Sequence, residues 1–177
     1  MDGLPPFSQI RPEHVEPAID HLLAANRRRI EALLDGLETP TWDALVAPIE
    51  EWEDRLSRAW SPVGHLNAVM NNEALRAAYN ACLPKLSDYA TEMGQNERLF
   101  RAYEAVAQSG AALDEGQRKV LDNALRDFHL SGIDLPPEQR ARFKAISQEL
   151  SQLTNRFGEN LLDPTIAWSN LISDETQ

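Results

Sequence analysis

Apolar residues recur three and four positions apart along nearly the whole chain, the repeat that gathers them on one face of an α-helix, while strand-like alternation is nearly absent. The first stretch opens at Arg11-Pro12-Glu13, with proline early and an acid in the first turn, and predicts a helix to about Gly36. Val15, Ile19, Leu22, Ile30, Leu33 and Leu37 share its stripe, and Arg27, Arg28, Arg29 and Glu31 fall mostly on the other side. Thr41 is placed to cap a second helix, with Asp43 in its first turn, and Trp42, Leu45, Ile49, Trp52, Leu56 and Trp60 form its buried face. Pro48 sits near enough to its start to be tolerated, whereas Pro62 followed by Gly64 should kink or interrupt it.

Asn71-Asn72-Glu73 restarts the pattern with Leu75, Tyr79, Cys82, Leu83, Leu86, Tyr89 and Met93, and Pro84 inside it predicts a bend rather than a stop. After a break at Gly94, Leu99, Tyr103 and Val106 carry a short helix to about Gln108, ended by Ser109-Gly110. Asp114, three residues before Gln117, has the capping-box spacing for a helix through Phe128 that stops at Ser131-Gly132. The longest pattern starts at Leu135-Pro136-Pro137-Glu138, places Phe143, Ile146, Leu150, Leu153, Phe157 and Leu161 at nearly heptad spacing, and should end at Asp163-Pro164. Thr165-Ile166-Ala167-Trp168 is the one stretch with strand character. The fold class is therefore all-α: an antiparallel or irregular bundle of about five to seven helices with one short strand near the C-terminus. No repeat of solenoid length emerges.

Composition narrows the function classes. The 177 residues carry 28 Asp and Glu against 17 Lys and Arg, a net charge of −11. With a sequence pI of about 4.8, this disfavours phosphate-neutralising work and hence a nucleic-acid partner, although Arg27-Arg28-Arg29 is a local basic patch. The single cysteine, Cys82, cannot close an intrachain disulfide, and a reducing, cytoplasmic setting fits best. Met1-Asp2-Gly3-Leu4-Pro5-Pro6 lacks the basic and apolar regions of an export signal, and charges interrupt every apolar run well short of the roughly 18 residues a membrane span needs.

Catalytic signals are sparse. The histidines are His14, His21, His65 and His129, and no H-E-x-x-H places two imidazoles one helical turn apart. Cys82 sits on an apolar stripe and reads as a core residue, while Glu50, Glu51, Glu53 and Asp54 straddle a helix surface and read as a solvated acidic face. The three tryptophans on the second helix read as fillers between helices rather than a ligand cage. The polar cluster of note is Trp60-Ser61-Pro62-Val63-Gly64-His65-Leu66-Asn67, where a helix break would free backbone groups beside His65 and Asn67. Those two side chains either satisfy the loosened backbone or line a cleft.

Leu4-Pro5-Pro6-Phe7, Arg11-Pro12-Glu13-His14-Val15 and Trp60 through Asn67 resemble the opening segments of the thimet oligopeptidase and neurolysin family of zinc metallopeptidases. Asn123-Ala124-Leu125-Arg126-Asp127-Phe128, Leu130-Ser131-Gly132-Ile133, and Asn155-Arg156-Phe157 through Leu162-Asp163 follow in the same order. The resemblance implies an intracellular enzyme that hydrolyses short peptides, including cleaved signal peptides, in a channel between two helical halves. Residues 1–177 would then be its N-terminal helical domain, one channel wall that restricts substrate size, with residues 165–172 as the exit toward a downstream catalytic domain of the same polypeptide. The family's zinc ligands and catalytic glutamate come from elements absent here, so catalytic and metal-binding residues in this chain are expected to be none, and zinc belongs to the parent enzyme. His65 and Asn67 are the channel-lining candidates. A face normally covered by a catalytic half would also leave an apolar patch through which the chain self-associates. A reading from another class stays open: a free-standing helical adaptor binding a partner through its aromatic or acidic face.

Overall fold

The computed structural model describes residues 4–169, and among them it contains six α-helices. They are α1 (Pro12–Gly36), α2 (Ala47–Val69), α3 (Glu73–Gly94), α4 (Glu97–Gln108), α5 (Glu115–Leu130) and α6 (Pro137–Ala167). A 3-10 turn at Phe7–Gln9 precedes α1, and a π-type turn at Trp42–Val46 leads into α2.

Local chemistry sets the helix ends. Thr41 accepts the Ala44 amide at 3.1 Å, Asn72 the Leu75 amide at 2.9 Å and Asn96 the Leu99 amide at 3.1 Å, each satisfying one of the orphan donors of a first turn. Asp114 and Gln117 form the reciprocal capping box at 2.8 and 3.0 Å. At the end of α5, Gly132 takes φ of +84°, so that its amide reaches the His129 carbonyl at 3.0 Å and the Ile133 amide reaches the Phe128 carbonyl at 3.2 Å. This is the paired bonding that a left-handed residue makes possible after a helix.

Two apolar clusters hold the bundle. One joins Val15, Ile19 and Leu23 of α1 to Leu56 and Val63 of α2 and to Leu75, Cys82 and Tyr89 of α3. The other joins Ile30 to Leu45, Val46 and Ile49, to Leu99, Tyr103 and Val106 of α4, and to Leu121, Phe128 and Ile133 around α5. Trp42 and Trp52 pack on the second cluster and Trp60 on the first, where it stacks on Tyr79 at 4.7 Å between ring centroids. The tryptophans are therefore helix-to-helix fillers. α6 contributes no residue to either cluster and packs along α3 instead.

Four expectations change. α2 runs unbroken through Pro62 and Gly64 to Val69, because Pro62 is buried, Val63 packs in the first cluster, and the carbonyl deprived of its donor belongs to exposed Arg58. α6 likewise continues past Asp163-Pro164 to Ala167, so Thr165–Ala167 is helical and not a strand. There Thr165 Oγ1 donates to the Leu161 carbonyl at 2.8 Å, Trp168 N to the Pro164 carbonyl at 3.0 Å, and Arg76 anchors Asp163 from α3. Of the expected exit segment 165–172, residues 170–172 lie outside the described residues. The buried stripe of α1 runs through Leu23 and Asn26 as well as Val15, Ile19 and Ile30. Glu53 leaves the acidic face: it accepts the Tyr89 hydroxyl, and burial first, then Glu50, hold its carboxyl above the usual range.

Candidate functional site

An open cleft of about 680 Å³ forms where α6 lies against α3 and the end of α2. Small residues on α6, Ser147, Ser151 and Gly158, leave its floor unfilled, while Leu83, Leu150 and Leu162 give it apolar walls. Its polar end is an interlocked network. Asn71 Nδ2 donates to both the backbone and side-chain oxygens of Asn67, at 2.9 and 2.8 Å, and Asn71 Oδ1 accepts Arg76 Nε at 3.1 Å. The guanidinium then grips both carboxylate oxygens of Asp163, at 3.0 and 2.5 Å, and this hydrogen bonding holds the Asp163 carboxyl below its usual range. One layer along, Glu159 Oε1 accepts Asn80 Nδ2 at 2.9 Å and Asn155 Nδ2 at 3.2 Å, and Asn155 Nδ2 also donates to Asn80 Oδ1 at 2.8 Å.

The two sequence candidates separate. Asn67 lines the cleft as a hydrogen-bonded amide acceptor. His65, on the same unbroken helix, is exposed and sits against the Phe7 ring, 5.5 Å between centroids, outside the cleft lining. The helix break that was to bring them to freed backbone groups does not exist. Asn71, Asn80, Asn155 and Glu159 escape a reading by periodicity because each looks like an ordinary solvated helix position. Only the recurrence of polar residues at 148, 151, 155 and 159, the half-buried face of α6, signals their place.

Chemically, this cleft offers hydrogen bonds and apolar contact rather than a reactive group. Its carboxylates are committed to amides and a guanidinium, and burial pushes the Tyr79 phenol above its usual range, away from serving as a base. Cys82 is fully buried and burial pushes its thiol up to about 11, which removes it as a nucleophile. Among the described residues no three His, Cys, Asp or Glu side chains converge to hold a metal ion, so these residues do not fit a catalytic zinc. The basic patch is largely engaged: Arg27 bonds Glu92 at 2.7 Å and lies over Tyr89, and Arg29 lies over Trp52. No helix among the described residues is long and apolar enough to cross a membrane.

Comparison with known proteins supplies what the cleft alone does not. Residues 19–140 match the family description Neurolysin/Thimet oligopeptidase, N-terminal domain. The chain belongs to the neurolysin/thimet oligopeptidase family. Oligopeptidase A of Haemophilus influenzae is 46% identical over 179 residues, an alignment that takes in 100% of this chain and 26% of that protein. Oligopeptidase A of Escherichia coli is 45% identical over 98% of this chain, and the probable cytosolic oligopeptidase A of Arabidopsis thaliana 34% identical over 98%. The chain thus spans about a quarter of the length of the curated relatives it matches. Within this neurolysin/thimet family the described residues correspond to the N-terminal helical domain.

Proposed function

We propose that this chain works as the N-terminal wall of an intracellular zinc-dependent oligopeptidase, restricting access by shape while the metal and the peptide-cleaving groups lie downstream in the same polypeptide. The match of residues 19–140 to an oligopeptidase N-terminal domain carries the reading. The cleft supports it, since amides beside leucines offer a peptide both backbone hydrogen bonds and side-chain burial. On this reading residues 1–177 form one domain, short peptides, cleaved signal peptides among them, are the substrates, and the cytoplasm is the compartment.

The test uses the complete polypeptide and a ladder of internally quenched peptides. The full enzyme should cleave short peptides and lose activity to a chelator, and the 177-residue chain should cleave none. Asn67→Ala in the full enzyme should shift KM or the preferred peptide length, and His65→Ala should shift it less. Zinc-dependent cleavage by the chain alone, or a length preference untouched by both substitutions, overturns the wall role.

A further inference from the structure

Helix α6 is polar where it meets the rest of the fold and apolar where it does not. Toward α3 it turns Ser147, Ser151, Asn155 and Glu159, and it is held there by the Asn155–Asn80 and Asn80–Glu159 bonds and the Arg76–Asp163 pair. It places no residue in either apolar cluster. Roughly 140° around the helix lies an apolar stripe. Its members Ile146, Leu150, Leu153, Phe157 and Leu161 are 51, 61, 54, 65 and 58% exposed, and Trp168, which caps the end of the helix, is 74% exposed. From Ile146 to Leu161 the stripe is about 22 Å long, four turns of helix. A helix normally buries such a face, so this one calls for a partner on its outer side.

Two observations say which partner. The match to the family's N-terminal domain covers residues 19–140 and so ends in the first turn of α6, leaving nearly all of the helix past the matched stretch. The bacterial oligopeptidase A relatives are about four times as long as the part that aligns, since the alignments take in 26% of each. α6 is thus the described helix nearest in sequence to the remainder of a polypeptide of that length. Spacing and charge narrow the contact further. Apolar positions three and four residues apart suit a second helix laid along the stripe. Arg142, Glu149 and Arg156 stand along one edge of it, seven residues apart and exposed, so the covering helix would set an acid beside each arginine and a base beside the glutamate.

We infer that the Ile146–Leu161 stripe packs against an amphipathic helix of the same polypeptide beyond residue 177, so that α6 holds α3 through polar contacts and the downstream part through apolar ones. The inference rests on the reading that a catalytic part follows in the same polypeptide, and it goes further by naming the surface that the two parts share.

The complete polypeptide supplies the test. Leu153→Cys, labelled with a thiol reagent and followed at that site by mass spectrometry, should react at least about tenfold more slowly in the complete polypeptide than in the 177-residue chain. That protection should not change with protein concentration. Phe157→Asp should lower the urea midpoint of the complete polypeptide and leave that of the 177-residue chain unchanged, because only the complete form buries the new carboxylate. Arg156→Glu should lower the same midpoint by less, as an edge charge does. Far-UV circular dichroism verifies that each form is folded, and if complete Phe157→Asp does not fold, the labelling of Leu153→Cys still decides. Equal labelling of position 153 in both forms, an equal loss of stability in both, or protection that grows with concentration, as a second copy would give, overturns the docking. The peptidase reading fails separately: a complete polypeptide that cleaves peptides yet labels freely at position 153 refutes only the docking, and one that protects it but cleaves no peptide refutes only the peptidase.

Discussion

Replacing Asn155 by alanine should loosen α6 and nothing else. The side chain gives α6 one direct tie to α3, the 2.8 Å bond to Asn80 Oδ1, and within α6 it braces the Glu159 carboxylate that Asn80 also holds. α6 has no residue in either apolar cluster, so its attachment rests on this network and on ion pairs such as Arg76–Asp163, Arg140–Glu97 and Lys144–Asp88. Part-buried hydrogen bonds contribute about 1 kcal/mol each, so the free energy of opening α6 should lie below the roughly 5–15 kcal/mol typical of global unfolding. Asn155→Ala removes about 1.5 kcal/mol of it, slightly more than a factor of ten in the opening equilibrium. Native-state hydrogen exchange read by mass spectrometry should show amides of residues 147–160 exchanging about tenfold faster than in the parent. Amides near Ile19 and Ile30 in α1 should be unchanged. If α6 exchanges as slowly as α1 in the parent, or if the substitution speeds both equally, α6 belongs to the global cooperative unit and the reasoning fails.

Three further outcomes follow from single sites. Glu53 has a folded pKa above its unfolded value of 4.5, so folding favours its protonated form: stability is fully present below the unfolded pKa and falls as pH rises through the folded one. Glu53→Gln keeps an acceptor for Tyr89 and cannot ionise. Urea midpoints should therefore show it more stable than the parent at pH 7, with the gap closing as pH drops through the carboxylate range, and a gap that widens on acidification refutes the assignment. Gly132→Ala puts a side chain at φ of +84°, and its Cβ would lie 2.7 Å from Leu135 Cδ1. A loss of about 2 kcal/mol in chemical denaturation is expected, against near-neutrality for Gly36→Ala, where the added atom meets nothing. Cys82 should resist a thiol reagent at pH 8, where a thiol near 11 is about one part in a thousand thiolate, and react at once in denaturant. Fast labelling of the folded chain would show that the first cluster opens locally.

What periodicity could read was the set of helices buried by an apolar face. Val15, Ile19, Leu45, Leu56, Leu99 and Leu121 lie inside as their spacing requires, and Thr41, Asn72 and Asp114 cap where short polar side chains precede apolar repeats. Prolines misled where they were read as stops. Pro84, read as a bend rather than a stop, lies inside the continuous α3, whereas Pro62, read as a kink or interruption, and Pro164, read as an end, also sit inside helices, because burial and the Arg76–Asp163 tie outweigh one missing backbone bond. The polar seam between α3 and α6 could not be read at all. An asparagine on a helix looks solvated until a second helix brings its partner, and Asn80 and Asn155 are 75 residues apart. Asn26, wholly buried with Oδ1 lacking a partner among the described residues, hid in the same way on the stripe of α1.

The orientation of α6 follows from α3 rather than from α6 itself. Rolling α6 by half a turn would bury Leu150, Leu153 and Phe157, a gain of roughly 1.5–3 kcal/mol for each side chain fully covered. The surface they would meet is not apolar, however. α3 commits Leu75, Cys82 and Tyr89 to the first cluster with α1 and α2, and presents Arg76 and Asn80 to α6. Burying leucines there would strip Arg76 of Asp163 and Asn80 of Asn155 and Glu159, and an uncompensated buried guanidinium costs more than the apolar contact returns. The polar seam thus selects one of two faces and leaves the other outward with its hydrophobic repeat intact. The inner network thereby fixes which face of α6 is turned outward.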